Sequence, residues 1–361
     1  MQVKMSKLSK LGKKIKFMIV ICLIVITFSI CFIFYLTITK YKIVQVDWAQ
    51  STLVFRDLNC YSAKIISNSS DQYIFFTASN DSNNLNLYYL KNNGSSWSQP
   101  ILINLNISIS SSFDCFYDQA RKTFHIFVCH ENESEFAIYH AYGLLNELNN
   151  ATQITKYPNQ YNDSRKYGIG AHHPNAFVDK NGNINLFYTW ITGITENINY
   201  IEWMKFDGVN WSFIEGIGVG NSPVALQTQN GDINVYSNLW TLSNKPQYCV
   251  NELIFDGTNW TYNEIITSAR DCNVDPFVFQ DLNGTMYLFY NHKEYGTGTK
   301  TNLLIQTKRL NQDWSSFKVI VEGQTEYGIR SPSAIKSDAK TIKLCYINES
   351  KIYFIEGIIK E

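Results

Sequence analysis

An all-β ring of repeated four-stranded sheets is the fold class the sequence predicts, on three observations. First, tryptophans recur in one local frame: Trp97-Ser-Gln-Pro-Ile-Leu-Ile, Trp211-Ser-Phe-Ile-Glu-Gly-Ile, Trp260-Thr-Tyr-Asn-Glu-Ile-Ile and Trp314-Ser-Ser-Phe-Lys-Val-Ile-Val. Each comes after a turn signal: Asn93-Gly94, Asp207-Gly208, Asp256-Gly257 or Asn311-Gln312. Second, Trp48–Phe55 reads as the same strand, yet nothing ahead of it could form the rest of a unit. Third, an aromatic content of 15%, with 23 tyrosines and 22 phenylalanines, suits half-buried pleated strands. A period of roughly 50 residues with a spare strand in front is the pattern of a β-propeller.

The third unit shows the grammar most clearly. Pro174–Val178 is apolar, Asp179-Lys-Asn-Gly182 turns the chain, and Ile184–Trp190 and Asn199–Phe206 come next as strands. Asp207-Gly208 then makes a hairpin and Trp211 opens the fourth strand. Asp-Gly predicts a type I′ turn, in which both central residues have positive φ. The pattern recurs from Ser222-Pro223, Asp275-Pro276 and Ser331-Pro332. Two more degenerate units start near Tyr61 and Phe113, and the second of these carries Leu148 where tryptophan would fall. That makes six units. The last, from about Ser331 to Gly357, supplies three strands, so Trp48–Phe55 is expected to close the ring as its fourth. Closure removes edges that would otherwise pair with other chains. The tryptophans read as packing residues of the outer strands.

Ahead of this domain (43–361) the chain has a different character. Residues 17–39 hold an uncharged run of about 22 residues, enough at 1.5 Å each to cross a bilayer core of about 30 Å. Lys4, Lys7, Lys10, Lys13, Lys14 and Lys16 precede it within the basic tail 1–16, and only Lys40 and Lys42 come closely after it. The positive-inside rule then predicts a cytosolic N-terminus and an exported propeller. Thr37-Ile38-Thr39 is a poor cleavage site, which favours an uncleaved signal anchor and a single-pass type II membrane protein.

Two compositional features agree. Cys60, Cys115, Cys129, Cys249, Cys272 and Cys345 lie beyond the span, an even number that permits disulfides in an exported domain. Cys60 with Cys345, or Cys249 with Cys272, are candidate pairs. Asn-x-Ser/Thr acceptors recur, among them Asn80, Asn93, Asn210, Asn259 and Asn348. They point to a glycoprotein, the alternative being a surface protein that is simply rich in asparagine. Lys plus Arg and Asp plus Glu number 31 each, so nothing argues for nucleic acid. No Cys or His spacing suggests zinc, and adjacent His172 and His173 point apart in an extended chain, so no metal and no cofactor are expected.

In a propeller, the loops ahead of the innermost strands and the loops joining second to third strands build one face. Of six arginines, Arg56, Arg165, Arg270 and Arg330 fall just before an innermost strand. Their planar forks match a carboxylate, so convergence on the axis would suit an anionic ligand. Pairing with Asp57, Asp271 or Glu326 is the alternative. The second-to-third loops add Asp81, His130, Glu196, Trp190, Trp240, His292, Glu294 and Tyr295, a mixture of aromatic faces and carboxylates suited to a sugar.

At this point the chain resembles the sialidase-like, or BNR/Asp-box, propellers, over about residues 43–360. The resemblance rests on the six units, on the turn Asn92-Asn-Gly-Ser-Ser-Trp97, and on Phe55-Arg56 ahead of the first innermost strand. It implies an arginine triad gripping a substrate carboxylate, for which Arg56, Arg270 and Arg330 are the matching positions. It implies an acid/base aspartate on the first second-to-third loop, where Asp81 falls, and a tyrosine nucleophile with a glutamate, which Tyr295 and Glu294 could supply. The Ile-Pro that usually comes after the arginine is replaced by Asp57-Leu58, and no unit has the full Ser-x-Asp-x-Gly-x-Thr-Trp box. The expectation is therefore a glycan-binding propeller preferring an acidic sugar, with sialidase-type hydrolysis as the sharper alternative. Asp275-Pro276-Phe-Val-Phe and Tyr287-Leu-Phe-Tyr290 are similar to a strand pair of five-bladed glycosidases, and a protein-binding scaffold is a further alternative.

Overall fold

The structure is a computed structural model, and it describes residues 26–29, 44–68, 71–79, 84–131, 135–155, 169–191, 199–241, 247–263, 272–293, 300–309, 312–323 and 328–360. The chain divides into two compact units, Met1–Gln45 and Val46–Glu361. In the first, residues 26–29 form a turn of helix. Among the described residues no helix is long and apolar enough to cross a membrane. The remainder of the predicted span, 17–25 and 30–39, lies outside them.

The second unit is all-β. Among the described residues its strands lie in five sheets, the largest of which has eight strands in two halves, so that six groups of antiparallel strands can be followed along the chain. The first is Asn59–Ser67, Gln72–Ser79, Asn86–Asn92 and Ile101–Ile103. The second is Phe113–Asp118, Thr123–Glu131, Glu135–Gly143 and a fourth strand of only two residues, Thr152–Gln153. The third, Ile169–Val178, Ile184–Ile191, Asn199–Phe206 and Trp211–Val219, joins the second through a short parallel pairing of Ile169 and Gly170 with Glu135 and Phe136. The fourth is Asn221–Gln227, Ile233–Thr241, Gln247–Phe255 and Trp260–Asn263. The fifth is Cys272–Gln280, Met286–Lys293, Asn302–Lys308 and Lys318–Val321. The sixth is Ile329–Lys336, Thr341–Asn348 and Lys351–Lys360.

The segment expected to complete the sixth group pairs with it as two pieces rather than one. Gln45–Trp48 and Thr52–Phe55 both pair with Lys351–Lys360, so Trp48 ends a strand where it was expected to begin one. Its ring sits so close over Gly357 that a Cβ there would lie 2.7 Å from the indole, which only glycine permits.

The turn chemistry also differs from expectation. Gly208, Gly257 and Gly94 have φ of 102°, 98° and 94°, whereas Val209 and Thr258 are not left-handed, so the I′ pattern, which needs two left-handed residues, is not formed. The side chain of the preceding residue explains the choice. Asp207 Oδ1 accepts the Val209 and Asn210 amides at 2.8 Å each, and Asp256 Oδ1 accepts those of Thr258 and Asn259 at 2.7 and 2.8 Å. Asn93 Oδ1 repeats this with Ser95 and Ser96. An Asx side chain that takes both amides removes the need for a second left-handed residue.

The tryptophans beside these turns have the packing role expected of them. Every one meets an aromatic ring of the preceding group edge-on: Trp48 on Phe289, Trp97 on Phe354, Trp211 on Phe127, Trp260 on Phe187 and Trp314 on Tyr236, at centroid distances of 6.1, 5.8, 5.9, 6.4 and 5.9 Å. Such pairs are worth about 0.5–1.5 kcal/mol each beyond the area they bury. Leu148 takes the same part between the first and second groups, buried with Tyr73, Phe75 and Phe124.

Polar links stitch the first strands together in the same sense. Lys64 Nζ meets Asp114 Oδ1 at 2.9 Å; Asp114 Oδ2 accepts the Ala176 amide at 2.7 Å; Asn175 Oδ1 accepts the Ala225 amide at 2.7 Å. Ser333 Oγ accepts the Ile65 amide at 3.1 Å, tying the last first-strand to the first. Each link satisfies a polar group that burial would otherwise leave stranded.

The expected disulfide Cys60–Cys345 is absent. Both are free thiols, fully buried in one apolar cluster with Phe76, Ile347 and Ile352. Cys115, Cys129 and Cys249 are also free and buried, so the alternative Cys249–Cys272 is not formed either. Burial pushes the thiols of Cys60, Cys129 and Cys345 up to about 12, chiefly by desolvating the thiolate. None of these five should react with an aromatic disulfide reagent at neutral pH in the folded protein, and all should react once guanidinium unfolds it. Fast labelling of Cys60 or Cys345 in the native state would show that this packing is wrong.

Candidate functional site

The first strands share an irregularity at the place where they approach one another. Pairing to the second strand slips between Cys60 and Ser62, His172 and Asn175, Asn221 and Val224, Val274 and Phe277, and Arg330 and Ser333. At four of these bulges the residue before a proline is left-handed: His173 (φ 50°), Ser222 (51°), Asp275 (53°) and Ser331 (50°). Proline suits the next position because a bulge leaves one amide out of the ladder. A non-glycine residue in this region costs on the order of 1–3 kcal/mol, and such strain clusters where side chains must be held at a site.

The bulges surround a cavity of about 290 Å³ lined by Tyr61, Lys64, Ser112, His173, Ser222, Asp275, Arg330 and Ser331, with at least one residue from each of the six groups. Arg330 is half-buried. Its Nη2 donates to Cys60 O at 2.8 Å, its guanidinium lies 5.6 Å from the Tyr61 ring centroid, and its Nε is buried without a partner. Asp275 stands beside it. Desolvation raises the Asp275 carboxyl above the usual range, opposed by hydrogen bonds from the Ser331 amide at 3.5 Å and Asn291 Nδ2 at 3.0 Å and by the charge of Arg330. By surface area Asp275 is only partly covered, but what it faces is the protein-lined cavity, which accounts for the upward shift.

The two histidines are half-buried by surface area, and the protein packed around them favours neutral rings. Desolvation depresses His173 well below the normal value and His172 to about 4. Their rings lie 4.1 Å apart and nearly perpendicular, and His173 Nδ1 is 3.4 Å from Ser112 Oγ. Among the described residues no three His, Cys, Asp or Glu side chains are grouped so as to hold a metal ion. The cavity thus offers one guanidinium, the Lys64 ammonium paired with Asp114, one carboxyl disposed to keep a proton, the His173 imidazole, hydroxyls, and a tyrosine ring.

Of the sequence-predicted residues, Arg330 is at this cavity. Arg56 is not among its lining residues: it is exposed in the turn after Thr52–Phe55. Arg165, Arg270, Asp81, Glu294 and Tyr295 lie outside the described residues, and of Trp240 only the backbone, within Ile233–Thr241, is described. Trp190 is buried and lines a different cavity, with Tyr188 and Glu202. Period-two parity with Leu186 and Tyr188 could have placed it on that buried face. His130 and His292 are held by Ser108 O at 2.6 Å and Asn273 Oδ1 at 2.8 Å. Lys64 and Tyr61 were missed as site residues; their signal was the offset of one to four residues from Cys60, where the first bulge forms.

No protein-family profile matches the sequence, and no curated protein does either. Solved structures share its fold. A protein of unknown function from Dyadobacter fermentans superposes with a TM-score of 0.70 at 13% identity, covering 87% of this chain and 99% of that one. A Hadza microbial sialidase gives 0.61 at 10% identity, over 83% of this chain and 65% of that one, so this chain spans less than two thirds of its length. An α-L-arabinofuranosidase from Fusarium graminearum gives 0.60 at 11% identity, over 86% and 98%. The likeness is one of fold: the chain resembles all-β propellers such as that of the sialidase.

Proposed function

We propose that the protein is a six-bladed, carbohydrate-binding propeller, closed by Gln45–Trp48 and Thr52–Phe55, whose central cavity takes an acidic sugar through Arg330. The observation that carries this reading is a half-buried guanidinium lining the cavity, held in place by its Nη2 hydrogen bond to Cys60 O at 2.8 Å. A carboxylate of the ligand would accept from the guanidinium N–H groups that reach the cavity, and a charge-assisted hydrogen bond is about twice as strong as a neutral one. The sialidase and arabinofuranosidase relatives in fold support a carbohydrate ligand. A glycan array probed with the purified propeller should give signals for carboxylated sugars, weakened at least tenfold in Arg330→Ala and partly retained in Arg330→Lys. Because Arg330 also holds Cys60 O, thermal unfolding is measured alongside. Equal array signals in wild type and a folded Arg330→Ala would sink the assignment.

One observation favours hydrolysis as a second reading: Asp275 keeps its proton more tightly than an ordinary carboxyl at the same cavity, as a general acid requires. Asp81, Tyr295 and Glu294 are the roles implied by resemblance. A fluorogenic sialoside should then be cleaved, with turnover lost in Asp275→Asn or Asp81→Asn; no cleavage leaves binding alone.

We further propose that residues 17–39 anchor the propeller outside the cytosol as a type II protein. The uncharged run and the six lysines ahead of it support this. Protease added to intact cells should digest the propeller, and full protection would reverse the topology.

A further inference from the structure

A second cavity, of about 470 Å³, opens between the second and third groups. It exists because the outer strand of the second group has only two residues, paired as Thr152 with His140 and Gln153 with Tyr139. Among the described residues, the stub covers only His140 and Tyr139 of the strand beside it. Cross-strand register then sets the composition of the exposed wall. Tyr188 lies opposite Glu202, and Met204 opposite Phe213, all on one face with Trp190 and Trp211.

The wall is amphipathic. Trp190 and Tyr188 are buried in place, Trp211 is fixed edge-on against Phe127 and His140, and Phe213 is 56% exposed at the rim. The polar groups are Thr155, the Tyr188 hydroxyl and the Glu202 carboxyl, which hydrogen-bond each other in the last two cases. The described lining residues include no lysine, arginine or histidine, so an anionic ligand would meet an unbalanced carboxyl. A flat apolar surface beside a few fixed hydroxyl and carboxyl partners matches a ring with one apolar face and several hydroxyls. A cation would instead favour an ionised carboxylate, whereas burial here raises the proton affinity of Glu202.

We propose that this cavity is a second carbohydrate site, separate from the Arg330 cavity, which takes a neutral pyranose against Trp211 and Phe213 with Glu202 on its hydroxyls. The proposal rests on the carbohydrate-binding reading above, but not on the ligand of the central cavity. Two of the lining residues are tryptophans, so occupancy should be visible in their fluorescence.

The test is a fluorescence titration of the propeller with methyl glycosides of glucose, galactose, mannose, fucose and N-acetylglucosamine. At least one should perturb the emission saturably, with affinity unchanged in Arg330→Ala and reduced at least tenfold in Phe213→Ala and in Glu202→Gln. Phe213 is exposed, so its variant should fold. Failure of acidic sugars to bind while neutral ones do would remove the central assignment and leave this one standing. No saturable response to any glycoside, a response abolished by Arg330→Ala but not by Phe213→Ala, or Glu202-dependent binding of tetramethylammonium in their place would each overturn it.

Discussion

Asp114→Ala is expected to destabilise the propeller by about 3–5 kcal/mol, the cost typical of breaking a buried ion pair from one side. Asp114 is 3% exposed. Its two oxygens hold Lys64 Nζ at 2.9 Å, the Ala176 amide at 2.7 Å and Asn175 Nδ2 at 3.1 Å, on the first strands of two neighbouring groups. Removing it strands an ammonium and an amide in the interior. Asp114→Asn keeps acceptor oxygen but not the charge, so it should fall between wild type and alanine. Asp47→Ala is the contrast: Asp47 and Lys360 are 65% and 58% exposed, and such pairs are worth at most about 1 kcal/mol. Urea midpoints of the three variants decide the matter. Equal shifts for Asp114→Ala and Asp47→Ala would mean that the inter-sheet link carries no weight.

The second large effect is loss of stability in mild acid. His125 and His140 are 2% and 5% exposed, with Nδ1 and Nε2 3.0 Å apart, so one ring donates to the other and neither is charged. Burial depresses both, with Phe116 stacked on His125 and Phe127 on His140. His172 falls to about 4 for the same reason. These groups ionise near 6.5 once the chain unfolds, so the unfolded state binds more protons below that pH. Their contribution is complete above 6.5 and is lost as pH falls toward the folded values near 4. At about 1.4 kcal/mol per pH unit, His172 alone accounts for on the order of 3 kcal/mol. Several such groups rival the 5–15 kcal/mol total of a typical domain. The melting temperature should therefore drop steeply between pH 6.5 and 4, and the double variant His125→Phe/His140→Phe should flatten that slope. An unchanged slope would assign acid lability to other groups.

Much of the architecture was legible because it is written locally. A turn residue, a glycine and a tryptophan within six positions specify hairpin and inter-sheet contact together, which is why the repeat could be traced even where Leu148 replaces the indole. The Ser-Pro and Asp-Pro pairs marked the innermost strands for a similar reason. What those pairs did not disclose was the left-handed bulge that turns Asp275 toward the axis, since Asp-Pro alone is compatible with an ordinary extended strand. Arg56 stands outside the Arg330 cavity because the short strand Thr52–Phe55 ends just before it, leaving the side chain in solvent. The cysteine pairing failed for a different reason. Parity in the sequence cannot separate a thiol stored in a core from one aligned with a partner, and burial among Phe76, Ile347 and Ile352 decides for the former. Lys64 and Asp114 lie far apart along the chain, and no local pattern announces that they meet.

The pairing of Thr52–Phe55 with Lys351–Lys360 also sets a timetable for biogenesis. Thr52 Oγ1 donates to Phe354 O across 302 positions of chain. At a synthesis rate of about 5–20 residues per second, the early strands wait roughly 15–60 s before their partner emerges. Throughout that interval Trp48 and Leu53 lack the sheet that receives them, and the nascent chain presents unpaired amides. Lys351–Lys360 thus latches strands made about 300 residues earlier, and a chaperone acting on this protein has the most to do in the interval before that segment emerges.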